Sequence, residues 1–152
     1  VPTVLIAATV LTGLVTGVFA LYSHTIMPAF RRTDDRTFVT AFQAIDRAII
    51  NPWFMVTFLG GPPAIAAAGL LRPTVLVWTA FGLALAVVVI TVAVHLPLND
   101  ALKAAGDPAT IDTAQVRAAF RERRWLLWNH LRTAASLTAF LLLTVALTQA
   151  SD

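Results

Sequence analysis

The chain has 152 residues, 58% of them hydrophobic and 12% charged, with a formal net charge of +3. A soluble domain carries about 25% charged residues, so this balance, with a mean hydropathy of +0.77, excludes an ordinary water-soluble domain and reads as an integral membrane protein. The absence of cysteine excludes disulfides, thiolate metal sites and thiol nucleophiles.

In chain order, four apolar runs are predicted as membrane spans over about 4–27, 52–71, 74–96 and 125–149, each able to supply the roughly 20 helical residues that cross a bilayer core. Joined by short connections, they leave room for one membrane domain over 1–152, an all-α integral membrane four-helix bundle. The first residue is Val1, as expected of a processed or trimmed start, and the first run lacks the basic lead of a secretory signal. Within it Gly13, Gly17, Ala20 and His24 share one helix face. Gly13-x-x-x-Gly17 is expected to let a partner helix approach closely, with His24 at the end of that packed face. Pro28 is expected to close the span.

The next segment, "RRTDDRTFVTAFQAIDRAIINP", predicts a short amphipathic helix that lies in the interface or covers the mouth of the bundle. Thr33 is its candidate N-cap, and Asp34 and Asp35 favour its dipole. Phe38, Phe42, Ile45 and Ile49 form its apolar stripe, with Arg36, Gln43 and Arg47 opposite. Asp46 sits at the border, where Arg132 is one candidate partner and water the other. Asn51 then caps the second span, with Pro52 at its first position. Gly60-Gly61-Pro62-Pro63 is expected to kink that span and free the carbonyls of Phe58 and Leu59 for protein, water or a ligand. The third span ends in "AVHLPLNDAL", where Pro97 bends the exit and Asn99 or Asp100 can cap the next element.

From Asp112 to the C-terminus there is neither Gly nor Pro, and Asp112 with Gln115 resembles a capping-box start. One unbroken helix of about 38 residues, about 57 Å long, is predicted, its first turns standing in the cytoplasm. On it Arg121, Trp125, Asn129, Arg132 and Ser136 fall close to one face. A polar stripe entering a span faces the bundle interior, so Asn129 and Arg132 are expected to meet His24, His95 and Asn99. Two outcomes stay open: an interhelical clamp whose polar groups satisfy one another, or an active site. Trp125 and Trp128 are likewise either an interfacial belt or a surface for a flat ligand.

The pI near 10.6 arises from where the basic residues lie. Arg31, Arg32, Arg36 and Arg47 occupy the first connection, and Lys103, Arg117, Arg121, Arg123, Arg124 and Arg132 the third with the mouth of span four. Arg72 stands alone in the second. By the positive-inside rule both long connections are expected in the cytoplasm and both termini outside. Membrane lipids are then the partners of the basic residues, and no nucleic-acid module is present.

The stretches "TGVFALYSHTIMPAF", "DDRTFVTAFQAIDRAIINPWF", "LPLNDAL" and "WLLWNHLRT" occur in the order and spacing of the anthrone-oxygenase-like membrane family, which the chain resembles from Gly13 to about Thr133. The matching positions are Met27-Pro28, Asp35-Arg36, Asn51-Pro52, Pro97-Leu98-Asn99, Trp125, Trp128, Asn129 and Arg132. Each motif alone is weak; the four in order are fairly specific. The chain departs from the pattern at Asp46, where Asn is more usual, and at His24 and His95. A reaction shared by the whole family is therefore not expected to depend on these two histidines.

The resemblance implies four spans and, by analogy with a few fungal members, oxidation of a polyketide anthrone to an anthraquinone by O₂ without a conventional cofactor. Most bacterial members have no assigned activity. Such a reaction deprotonates a carbon acid and passes an electron to O₂. His130 or His24 is the candidate base, and Asn99, Asn129 and Arg132 are the candidate donors to the developing enolate. Trp125, Trp128, Asp46 and Asn51 are candidate contacts to a lipophilic phenolic or polycyclic small molecule. The scheme needs no cofactor; a metal held by His24, His95 and His130 is the weaker option, because no helix carries a paired ligand spacing. The excess of Arg over Lys and the abundant Ala suggest a bacterial chain, hence the bacterial cytoplasmic (inner) membrane. The competing reading is a non-catalytic accessory subunit of a larger membrane complex, whose partners are other subunits.

Overall fold

A computed structural model of the chain describes residues 2–150. Every regular element among them is helical. In chain order these are α1 (Pro2–Phe30), α2 (Asp35–Ile49), α3 (Pro52–Leu71), α4 (Val75–Ala104), α5 (Thr113–Phe120) and α6 (Glu122–Thr148). Helices α1, α3, α4 and the α5–α6 stretch are long and apolar enough to cross a membrane, as the hydropathy predicts.

Side-chain chemistry sets the helix starts. Asp34, rather than Thr33, caps α2 by accepting the Thr37 N–H at 2.9 Å, while the Thr33 hydroxyl donates back to the Phe30 carbonyl at 2.8 Å. The same Thr37 N–H holds the Asp34 carboxyl below the usual carboxylate range. Asn51 caps α3 by accepting the Phe54 N–H at 3.0 Å, with Pro52 just inside the helix. Thr74 and Asp112 cap α4 and α5 in the same way.

Helix α1 packs against α3 and α6, and α4 packs against the same two. Toward one end the interior is built of small and aliphatic side chains, among them Leu5, Ala8, Ile65, Ala80, Ala139 and Leu143. At the other end both long connections fold together, α2 against α5 and against the last turns of α4. Their apolar stripes bury Phe30, Phe38, Phe42, Leu102, Phe120 and Trp125 in one aromatic cluster. Gln43, expected on the wet face of α2, is buried as well. Its Nε2 donates to the carbonyls of Leu102 and Gly106, both at 3.0 Å, and ties α2 to the turn after α4.

Two expectations about helix continuity are corrected. Pro28 does not end its helix, and Pro97 likewise lies within a continuing one: each comes after a π turn, Tyr22–Ile26 and Thr91–His95, beyond which the α-helix resumes. A proline cannot donate to the carbonyl four residues back and its ring presses on that carbonyl; a wider turn moves the carbonyl aside. Asn99 and Asp100 therefore lie inside α4 rather than capping a new element. Pro62 and Pro63 sit within α3, which stays helical across them.

The predicted unbroken helix from Asp112 is also interrupted, at Arg121, whose backbone is left-handed (φ 55°, ψ 59°). That conformation costs a non-glycine residue about 1–2 kcal/mol. Arg117 offsets the cost. Its guanidinium donates to the carbonyls of Thr33 (2.8 Å) and Phe30 (3.0 Å), to Asp35 (3.2 Å) and to Glu122 (2.6 Å), and lies 4.5 Å over the Phe38 ring. The break lays α5 on α2 and brings Phe120 into the aromatic cluster.

The glycine pair of α1 divides. A Cβ on Gly13 would come within 2.8 Å of the Phe140 ring, whereas Gly17 is exposed with nothing within 4 Å. The buried line on α1 runs instead through Thr9, Thr12, Thr16 and Phe19, each threonine donating its hydroxyl to the carbonyl four residues back at 2.7 Å. Gly13→Ala is expected to destabilise the protein by about 1–3 kcal/mol through overpacking, and Gly17→Ala to leave thermal unfolding in detergent unchanged. Equal melting of the two variants would contradict this packing.

Candidate functional site

Beneath the aromatic cluster, a cavity of about 280 Å³ lies among the helices. Phe19 and Tyr22 of α1, Phe42 and Asp46 of α2, Phe54 and Phe58 of α3, Thr91, His95 and Asn99 of α4, and Trp125 and Arg132 of α6 all line it. Leu59 of α3 and Val92 and Leu96 of α4 belong to the same wall and are exposed. The cavity thus opens sideways, between α3 and α4, through apolar side chains. Both π turns contribute to the wall: Tyr22 begins the one in α1, and Thr91 and His95 bound the one in α4. Such turns interrupt the regular helical register and are frequent at functional sites.

Two polar networks meet at this cavity. In the first, Arg132 is only 6% exposed. Its Nε donates to Asn129 Oδ1 at 2.9 Å and its Nη1 to Thr91 Oγ1 at 3.2 Å. Asn129 Nδ2 in turn donates to the Phe19 carbonyl at 3.0 Å and to Ser23 Oγ at 2.7 Å. The guanidinium lies 4.1 Å over the Phe19 ring and 5.6 Å from the Trp125 ring. No carboxylate forms an ion pair with it among the described residues. Buried cations are normally paired, so Arg132 presents an uncompensated positive charge to an apolar chamber.

In the second network, Asp46 Oδ1 accepts from Asn99 Nδ2 at 2.7 Å, and Asp46 Oδ2 pairs with Lys103 Nζ at 2.9 Å. Asn99 Oδ1 accepts from Trp125 Nε1 at 2.9 Å, which fixes the indole in the cavity wall. The expected Asp46–Arg132 pair does not form. Lys103 lies two turns beyond His95 on α4 and reaches Asp46 first.

His95 stands between the two networks and belongs to neither. It is 1% exposed and meets the Trp125 ring edge-on, 4.9 Å between centroids. Neither ring nitrogen has a hydrogen-bond partner; the backbones of Ile90 and Trp125 come near without hydrogen-bonding geometry.

Of the residues singled out in the sequence, the structure brings Asp46, His95, Asn99, Trp125, Asn129 and Arg132 together. It does not bring His24 or His130, both exposed and absent from the cavity wall. His24 lies off the buried threonine line of α1 and holds Thr25 Oγ1 at 2.6 Å through Nδ1. His130 comes one residue after Asn129, roughly 100° around the helix, and so turns outward. Trp128 and Asn51 do not line the cavity either; Asn51 is engaged as a helix cap and donates to the Ala48 carbonyl at 2.8 Å. The three histidines do not converge, and no three His, Asp or Glu side chains are grouped to hold a metal ion among the described residues. Tyr22, Ser23 and Thr91 belong to the site although no sequence pattern singles them out. The available signal is a proline six residues after Tyr22 and after Thr91, inside apolar helices.

A family profile described as anthrone oxygenase matches residues 38–142, more than half of the chain. No curated protein and no solved structure matches. The chain belongs to the anthrone oxygenase family. The matched region contains every cavity-lining polar residue except Tyr22.

Asn129 joins Arg132 to α1, so Asn129→Ala leaves a buried guanidinium nitrogen unpaired and the Ser23 hydroxyl with only its long contact to Thr133 Oγ1 at 3.4 Å. It is expected to cost about 1–3 kcal/mol, read as a lower melting temperature in detergent. His24→Ala and His130→Ala are expected to melt with the wild type, and a large loss in either would contradict the placement of these histidines.

Proposed function

We propose that this member of the anthrone oxygenase family is an integral membrane oxidoreductase that uses O₂ to oxidise a lipophilic polycyclic carbon acid in the cavity beside Arg132. The observation that carries the reading is the buried, uncompensated Arg132 guanidinium in an otherwise largely apolar chamber. An electrostatic donor pre-aimed in a dry site stabilises the charge that develops on a carbonyl oxygen as a methylene conjugated with it through the aromatic rings loses a proton. Asn129 and Thr91 hold that donor without neutralising it. The resulting enolate passes an electron to O₂, and recombination and loss of water turn a methylene into a carbonyl. The scheme is written with no metal and no cofactor.

The lipid phase supplies the substrate. The chain sits as one four-span domain in the bacterial inner membrane, with α2 and α5 on the cytoplasmic side, where Arg31, Arg32, Arg36, Arg123 and Arg124 are exposed to lipid headgroups and water. The side opening between α3 and α4 then faces the acyl chains, and a flat apolar compound enters without crossing water. Trp125, held by Asn99 against a compensated Asp46, offers it a fixed aromatic wall. A non-catalytic accessory subunit would gain nothing from an unpaired cation beside a void, and the two together support the catalytic reading over it.

The test is O₂ uptake on an anthrone by the protein purified in mild detergent, with protein-free autoxidation subtracted. Arg132→Met, close to isosteric along its stem, is expected to lower kcat/KM by about 10²–10³-fold, the usual effect of losing one such donor. No uptake above background by the wild type, or an Arg132→Met variant as fast as wild type, would overturn the proposal.

A further inference from the structure

We infer that His95 is the proton carrier of this cavity, a catalytic residue placed by the π turn of α4 beside the anchor of Arg132. The inference rests on the oxidation proposed above for its chemistry, and on His95 itself for its geometry. A buried imidazole ordinarily has both nitrogens engaged, and leaving them unpaired costs about 1–3 kcal/mol for each group. His95 leaves both unpaired at 1% exposure. Its ring packs perpendicular to that of Trp125 at 4.9 Å, with the backbones of Ile90 and Trp125 nearby, and a phenyl ring would make the same aromatic contact.

Its place is set by the π turn that ends at His95, four residues after Thr91, so both side chains leave the same part of α4. Thr91 grips Arg132, and His95 therefore stands one turn from the guanidinium's anchor, on the same cavity wall. The other ionisable groups around the chamber are Tyr22 from α1, Asp46 from α2, with Lys103 behind it, and Arg132 from α6. Asp46 is committed to Lys103 and Asn99, Arg132 is a cation, and the protonated phenol of Tyr22 is an acid rather than a base, so none of the three is suited to take a proton from carbon. His24 and His130 lie outside the wall. A neutral imidazole with a free acceptor nitrogen and a free N–H is the remaining group suited to both halves of the transfer.

In the first half of the reaction, one ring nitrogen takes a proton from the methylene, and the electron pair of the broken C–H bond spreads onto the carbonyl oxygen beside Arg132. O₂ accepts an electron and joins the carbon, and the peroxide anion recovers the proton from the imidazolium. His95 then removes the second C–H proton as the O–O bond breaks and a carbonyl forms. The departing hydroxide takes that proton and leaves as water. One O₂ is consumed and one water released, and His95 ends neutral.

The decisive variant is His95→Phe, which keeps a ring against Trp125 and removes two unpaired polar atoms. It is expected to melt higher than wild type while anthrone oxidation falls by about 10²–10⁴-fold, the range of general acid–base catalysis. His95→Gln is the second variant, expected to fold and to lose turnover as well. Independently of turnover, ¹⁵N-histidine spectra of the wild type titrated with 9,10-anthraquinone, which has no acidic C–H, should show the His95 ring nitrogens shifting and the His24 and His130 signals still. Near wild-type oxidation by His95→Phe, lower stability of that variant, or ring nitrogens indifferent to the quinone would each overturn the inference. If the wild type shows no oxidation, the proposed reaction fails alone; the quinone titration still decides whether His95 faces the ligand.

Discussion

The guanidinium of Arg132, buried among helices with no ion pair to a carboxylate among the described residues, is the constraint around which this end of the molecule is organised. Taking such a charge out of water costs several kcal/mol, and three helices share the work of making it tolerable. Asn129 accepts from Nε while reaching across to the α1 backbone, Thr91 accepts from Nη1 on α4, and the Phe19 face lies beneath the cation. Each partner is neutral. Hydrogen bonds and a ring quadrupole lower the cost of the charge without cancelling it, which differs from the treatment of Asp46. That carboxylate is paired outright with Lys103 at 2.9 Å and satisfied by Asn99. One charge in the wall is neutralised, the other is left working.

Backbone geometry serves the same end. Thr91 and Tyr22 reach the cavity because α1 and α4 each relax into a π turn six residues before a proline. The two helices pack on opposite sides of the interior, both against α3 and α6, so the widened turns face one another across the chamber. A proline in a soluble helix usually ends it. Here neighbouring helices and the covering α2 hold the chain in place, and the local strain appears as a wider turn.

These features mark the boundary of what the residues alone disclose. Helical periodicity locates the long helices, the inward stripe of α2 and the buried line Trp125, Asn129, Arg132 and Ser136 on α6, because α6 keeps a regular turn from Glu122 onward. It fails wherever the register slips. Extrapolating α1 as a regular helix along its glycines puts His24 on a packed face, but the packed face runs along the threonines and then passes through a π turn. Arg121 carries no warning either: a left-handed residue is normally announced by Gly or Asn. The spacing on α2 puts Asp46 at a boundary in need of a partner, yet which cation reaches it depends on how α4 stacks over α2, and no linear spacing contains that.

The Arg121 break has a reason in the cavity. An unbroken helix would carry α5 off along the α6 axis, leaving Phe120 away from Phe42 and the upper face of Trp125 uncovered. With the chain reversed at one strained residue, Phe120 comes 4.7 Å from Phe42 and 6.2 Å from Trp125, and the indole is left 1% exposed. Its N–H donates to Asn99 Oδ1, and its ring stands perpendicular to that of His95. The cost of the left-handed residue is met outside the cavity, by Arg117 and the carbonyls it collects. What it secures is an aromatic roof over a cation held only by neutral partners and an imidazole whose nitrogens make no hydrogen bond among the described residues.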